Sequence, residues 1–173
     1  MTHWYILSIV GKDRPGIVSH VTQALYDGGC DLGETSMIRL GDSFTIMMMV
    51  RHDGNVRSLE KMLSTVADSM GLHVHVDNMD GQLHRHVEPD VHITVHGADR
   101  PGIVAHVTAA LVEAGLNIIS LDSDVGGSDE KPIYIMRIDG AAGESIAALK
   151  SALEIVAKEG IEAHLVPIDT MIG

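Results

Sequence analysis

Two short stretches of this chain carry the residue types from which a small charged ligand is held. The segment GKDRPGIV recurs as GADRPGIV, and each copy sets an aspartate, Asp13 or Asp99, three residues ahead of a glycine, Gly16 or Gly102. An apolar helical pattern begins directly afterwards. A glycine has no Cβ, so a ligand can approach the backbone closely there. The unpaired N–H groups of a helix start, and the helix dipole, favour a carboxylate. An aspartate beside them can hold an ammonium group, and the combination suits a free α-amino acid. Asn117, at the start of the strand that follows, can donate and accept hydrogen bonds at once. Asp31 holds that place in the first half, which predicts two inequivalent sites. The same residues also admit a structural reading. Asp13 and Asp99 can cap helices, Arg14 and Arg100 can be solvated ion-pair partners, and the glycines can serve chain geometry alone.

Other candidate chemistry is weaker. Eleven histidines invite a metal reading, because His73 with His75, and His92 with His96, share strand parities, and His84 and His86 lie in a polar connector. Alternation on the polar face of half-buried strands produces the same spacing, so no metal site is predicted. His20 and His106 recur beside the apolar helix faces and are expected to pack there. Cys30 is expected as a small buried apolar residue. Asp122, Asp124, Asp129 and Glu130 read as a solvated hairpin, and Gly126, Gly127 and Ser128 as a loop. No GxSxG, HExxH, Walker or GxGxxG pattern is present, so neither an enzyme nor a bound cofactor is expected. The net charge of −12 argues against direct nucleic-acid binding, which needs cations to displace phosphate counterions. Residues 1–10 lack the basic flank of a signal peptide and no run reaches membrane-span length, which predicts no membrane association and a cytoplasmic location.

The elements that must position these residues follow from an internal repeat. Residues 13–32 recur at 99–118 with 12 of 20 positions identical, so the 173 residues divide into two domain-sized halves. Their expected bounds are 1–79 and 89–173, with a polar linker at 80–88. In the first half, 3–10 reads as a strand, with a helix beginning near Pro15 and showing Ile17, Val18, Val21 and Leu25 on one face. Gly28 and Gly29 end it. Strands 32–40 and 44–51 flank a tight turn at Gly41 and Asp42. A second helix carries Val56, Leu59, Leu63, Val66 and Met70, and 72–78 alternates as a last strand. The second half repeats this order from a strand at 91–95, with a four-residue loop insertion at 127–132. Two βαββαβ units predict an α+β protein of two ferredoxin-like sandwiches, each a four-stranded antiparallel sheet with two helices on one face. Residues 44–50 are apolar at both parities, so the open sheet face is expected to be covered by the sister domain or a second chain.

The D-R-P-G-I-V corner, the apolar helix, and Gly-Cys-Asp-Leu or Gly-Leu-Asn-Ile before the next strand resemble ACT domains, small-molecule-binding regulatory modules of amino-acid metabolism. In tandem and over nearly the whole chain, they most resemble the glycine cleavage system transcriptional repressor family, and GCDLGETSMIRLGDSFTIMMMV is similar in pattern to the first domain there. The resemblance implies amino-acid sensing, plausible for glycine, at interfaces between ACT modules, usually in a homodimer. It carries ligand positions to Asp13, Gly16, Asp99, Gly102 and Asn117, with Asp31 departing from the usual Asn. Regulation of transcription would then pass through a DNA-binding protein partner. An interaction scaffold without a small-molecule ligand is the alternative.

Overall fold

The computed structural model describes residues 2–79, 87–98, 101–128, 131–143, 145–158 and 160–168. The chain divides into two compact units, Met1–Leu83 and His84–Gly173. In the first, the order is β1 (His3–Lys12), α1 (Ile17–Asp27), β2 (Asp31–Leu40), β3 (Ser43–His52), α2 (Val56–Met70) and β4 (His73–Asn78). The second repeats it as β5 (Val91–Ala98), α3 (Ile103–Glu113), β6 (Asn117–Ser128), β7 (Lys131–Ala141), α4 (Ile146–Ala157) and β8 (Ile161–Pro167). The sheets run β2-β3-β1-β4 and β6-β7-β5-β8, with every pairing antiparallel. Both units are therefore ferredoxin-like sandwiches, the α+β architecture expected from the repeat.

Strand alternation decides which side chains reach the core. Tyr5, Leu7 and Ile9 of β1 and Phe44, Ile46, Met48 and Val50 of β3 are buried with Ile17, Val21 and Leu25 of α1 and Leu59 and Leu63 of α2. Val91, Ile93, Val95, Met136 and Ile138 meet Ile103, Val107, Leu111, Leu149 and Leu153 in the same way. Val18, expected on the buried face of α1, is instead exposed. His20 and His106 are exposed as well, because each precedes a core position by one residue and so lies about 100° away from it around the helix. Cys30 is buried against the first core.

The insertion lengthens the hairpin, as its change of offset predicts. Gly127 pairs with Pro132 and Ser128 with Lys131, so the insertion lengthens β6 and β7 themselves. Gly126, Gly127 and Ser128 are strand residues, which corrects the loop expected there. Gly127 adopts φ +88°, and a Cβ at that position would lie 2.5 Å from the Lys131 carbonyl oxygen. The extra rungs need glycine at that point. Asp129 and Glu130, and the linker histidines His84 and His86, lie outside the described residues.

The open faces of the two sheets have diverged. Ile6, Val10, Met47 and Met49 stand on the face of the first sheet away from its helices, with Met47 and Val10 exposed. The equivalent residues of the second sheet, by register, are His92, His96, Arg137 and Asp139. There His92 Nδ1 meets Asp139 Oδ1 at 2.6 Å, and Ser120 Oγ donates to Asp139 Oδ2 at 3.0 Å. These four positions are apolar in the first sheet and polar in the second, although the first sheet's open face also carries Ser8, Ser36, His75 and Asp77.

Candidate ligand-binding site

Each corner begins as a turn. Gly16 takes φ 92° and ψ −7°, the geometry required at the third residue of a type II turn, with Pro15 suited to the second. Helix α1 therefore starts at Ile17, after the turn. Pro15 is a turn residue and not the first helical one, because glycine at positive φ has to separate it from the helix. Gly102 repeats the geometry with φ 88° and ψ −3° ahead of Ile103. The His20 ring Nδ1 lies 2.6 Å from the Gly16 carbonyl oxygen and holds the turn against the helix. The backbone N–H of Asp13 donates to the Asp42 carbonyl at 2.7 Å, which fixes the corner to the β2–β3 turn.

At the first corner these constraints leave an open cleft of about 310 Å³ lined by Asp13, Arg14, Gly16, Ser19, Met37 and Phe44, together with Ile17 and Val18. The first N–H groups of α1 face no intrahelical acceptor, so donors, a carboxylate and an apolar wall share one cleft. Asp13 and Gly16 are thus brought together as expected. The Asp13 carboxylate is not a helix cap; it pairs with Arg39 at 3.2 Å. Asp99 and Arg100 lie outside the described residues.

Asp31 and Asn117 are placed differently from the corners. Asp31 opens β2, while Met37, six residues on, lines the cleft. At about 3.3 Å per residue, Asp31 stands roughly 20 Å from the corner of its own unit. Asn117 is exposed and opens β6 at the matching register, opposite Ala141 as Asp31 is opposite Arg51. No single unit gathers the corner and the strand start around one small molecule. Sequence spacing missed this, because a β-strand leads away from the helix it follows.

Sequence reasoning also missed two arginines. Arg51 directs Nε at 3.1 Å, and Nη2 as well, onto Asp31 Oδ2, and its guanidinium stacks over Trp4 at 5.7 Å. Arg39 holds Asp13. Both pairings depend on strand register, which residue types alone do not reveal.

Elsewhere, burial is the main cause that pushes the Cys30 thiol up from its ordinary range, with nearby Asp31 and Asp53 adding to it. A hydrogen bond from His92 is the main cause that holds Asp139 below the usual carboxylate range. Among the described residues, no three His, Cys, Asp or Glu side chains stand where they could share a metal ion. None of the described helices is long and apolar enough to cross a membrane.

The fold and its paired corners define a class. ACT-domain family patterns match residues 3–77 and again 91–158. The chain belongs to the ACT-domain family and carries two such domains in tandem. Among its relatives, the glycine cleavage system transcriptional repressor of Escherichia coli is 26% identical over 122 residues, 70% of this chain and 64% of that protein's length. The UPF0237 protein YjhC of Lactococcus lactis is 30% identical over 74 residues, 42% of this chain and 85% of its own. A solved structure of an unknown protein from Galdieria sulphuraria superposes over 97% of this chain and 99% of its own, with a TM-score of 0.74 and 23% identity. Another, whose protein bears the provisional name glycine cleavage system transcriptional repressor, superposes over 97% and 98% with a TM-score of 0.73 and 19% identity. At such identities these two likenesses speak for the fold.

Proposed function

We propose that this protein is a non-catalytic regulator that binds a small amino acid where a DRPG corner of one ACT module meets the first residues of β2 or β6 from another. The observation that carries this reading is the geometry. A corner supplies N–H donors and a carboxylate, while the complementary strand start stands about 20 Å away within the same module. A ligand a few ångströms long therefore has to bridge modules. Binding at a bridge favours the assembled arrangement over any other, which is how a ligand shifts an equilibrium.

The name of the E. coli relative supports glycine as a candidate ligand and transcription of amino-acid metabolism as the process controlled. With a net charge of −12, such control runs through a DNA-binding protein partner and not through direct DNA contact. A homodimer is the expected assembly. The apolar patch of Ile6, Val10, Met47 and Met49 on the open face of the first sheet is its contact, because the sister sheet presents His92, His96, Arg137 and Asp139 at the same four positions. The domains are best drawn at 1–79 and 89–173, in the cytoplasm.

Isothermal titration calorimetry of the full chain against the twenty amino acids tests the reading. Saturable heat with one or a few of them is expected. A silent panel overturns it and leaves an interaction scaffold.

A further inference from the structure

The open face of the second sheet carries an ordered chain of side chains that the sensor reading does not use. Thr94 Oγ1 lies 3.3 Å from His92 Nε2, His92 Nδ1 lies 2.6 Å from Asp139 Oδ1, and Ser120 Oγ donates to Asp139 Oδ2 at 3.0 Å. The hydrogen bond from His92 holds the Asp139 carboxyl below the usual carboxylate range, so it is ionised at neutral pH. An ionised carboxylate only accepts, which places the proton between the two groups on Nδ1. The neutral ring then presents Nε2 as an acceptor, and the hydrogen that meets it is that of the Thr94 hydroxyl. The order is hydroxyl, imidazole, carboxylate, with a serine fixing the carboxylate from behind. A hydroxyl is a weak nucleophile until an adjacent base takes its proton, and a third group orients that base.

The surroundings suit a developing negative charge. Register sets Arg137 of β7 opposite Thr94 on one side and His164 of β8 on the other, all on the same face. Asp122 of β6 stands beyond Arg137. A cation fixed beside the hydroxyl is placed where a donor serves an oxyanion. The His92 and Asp139 side chains are each 38% exposed, so a small reagent reaches the network from solvent. The first module supplies an internal control. Ser8 is the equivalent of Thr94, but Ile6, Met49 and Met47 replace His92, Asp139 and Arg137. Both modules keep the hydroxyl, and only the second surrounds it with base, carboxylate and cation.

We propose that Thr94 is a covalent acylation site, with His92 as its general base, Asp139 as the positioning residue behind His92, and an activated acyl ester or acyl phosphate as the reagent. Thr94 Oγ1 bonds to the acyl carbon while His92 Nε2 takes the hydroxyl proton. The bond from that carbon to its leaving oxygen then breaks, and His92 returns the proton as the leaving group departs. One ester per chain results and nothing is turned over, so the step marks the module and does not make it an enzyme. The ester leaves no hydroxyl hydrogen for His92 and covers part of a polar face, which changes what that face can meet.

The experiment treats the full chain with p-nitrophenyl acetate or acetyl phosphate at neutral pH and identifies the acetylated peptides by mass spectrometry. An acetyl group on Thr94, formed faster than on Ser8, is expected from at least one reagent, and the better of the two shows whether a neutral or an anionic donor is preferred. General-base help is worth about 10²–10⁴-fold, so His92→Gln should slow Thr94 acetylation about a hundredfold or more. Asp139→Asn should slow it too, and Asp139→Glu should recover part of the rate, which a merely structural carboxylate would not do. Circular dichroism confirms the fold of each variant. A wild-type Thr94 that stays unmodified with both reagents overturns the proposal without any variant. Equal acetylation of Ser8, or a folded His92→Gln protein that reacts as fast as wild type, also overturns it. Acetyl found on His92 in place of Thr94 makes the imidazole the nucleophile and overturns the assignment. None of these outcomes alters heat in the amino-acid panel, so the sensor reading stands or falls separately.

Discussion

Replacing Gly16 by alanine separates the two reasons a glycine can be required at the corner. Its φ of 92° lies in the left-handed region, where an L-residue costs about 1–2 kcal/mol. The added methyl would also lie 3.1 Å from His20 Nδ1 and 3.2 Å from its Cε1. Relieving that crowding moves the ring off the Gly16 carbonyl and gives up a hydrogen bond worth about 0.5–1.5 kcal/mol. Together, Gly16→Ala should cost about 2–3 kcal/mol. Gly102→Ala is the control. Its φ is 88°, but the nearest atom to the new methyl, His106 Nε2, is 3.8 Å away, so only the backbone cost of about 1–2 kcal/mol remains. Trp4 is the single tryptophan of the chain and belongs to β1, so its fluorescence reports the first module during urea unfolding. With a slope of about 1–2 kcal/mol per molar urea, the Gly16→Ala midpoint should fall by roughly 1–3 M. A loss below about 0.5 kcal/mol would refute the conformational argument. Glycine would then be there for ligand approach alone.

Three further outcomes follow from the same geometry. Met47→Glu puts a charge on the patch formed with Ile6, Val10 and Met49, and sedimentation velocity should show dimer giving way to monomer at micromolar concentration; an unchanged dimer places the contact elsewhere. The depressed Asp139 carboxylate contributes stability that is present above the ordinary carboxylate range near pH 4 and is lost as pH falls through its lower folded value. Thermal melts of Asp139→Asn should therefore lie below wild type at neutral pH, with the gap closing in acid. The Cys30 thiol, pushed up chiefly by burial, should react with an aromatic disulfide far more slowly than a free thiol at pH 8 and at the ordinary rate in 8 M urea; fast reaction of the native protein would show the site open.

Much of the fold was legible because the chain contains its own comparison. Two copies of one pattern separate the positions that must stay apolar, such as Val21 and Val107, from those that drift, and the three- and four-residue spacing of Leu59 and Leu63 suffices for α2. The hairpin insertion was visible as a change of offset. Whether it entered a loop or the strands depended on Gly127 accepting positive φ, which glycine makes possible without announcing. At the site, the pairing of Asp13 with Gly16 was local and readable. The capture of Asp13 by Arg39 was not, since it needs Arg39 carried back to the corner along β2 in one specific register. Asp31 and Asn117 were recognisable by type but misleading by proximity in sequence. A ten-residue strand separates what a short loop seems to join. His20 shows the remaining weakness: one residue off a helical stripe turns a core position into a surface one.

The lengthened β6–β7 ribbon would ordinarily be a hazard. The last described rung between β5 and β7 sets Ala98 opposite Ile133, and a bare strand margin on a long ribbon could recruit another chain into continuous sheet growth. Near the hairpin end of β7 stands Pro132, which is paired with Gly127 and has no amide hydrogen to offer a recruit. The glycine opposite it, at φ +88°, departs from the extended backbone that regular sheet growth repeats. The insertion thus brought residues that oppose strand recruitment along with the extra reach of the hairpin.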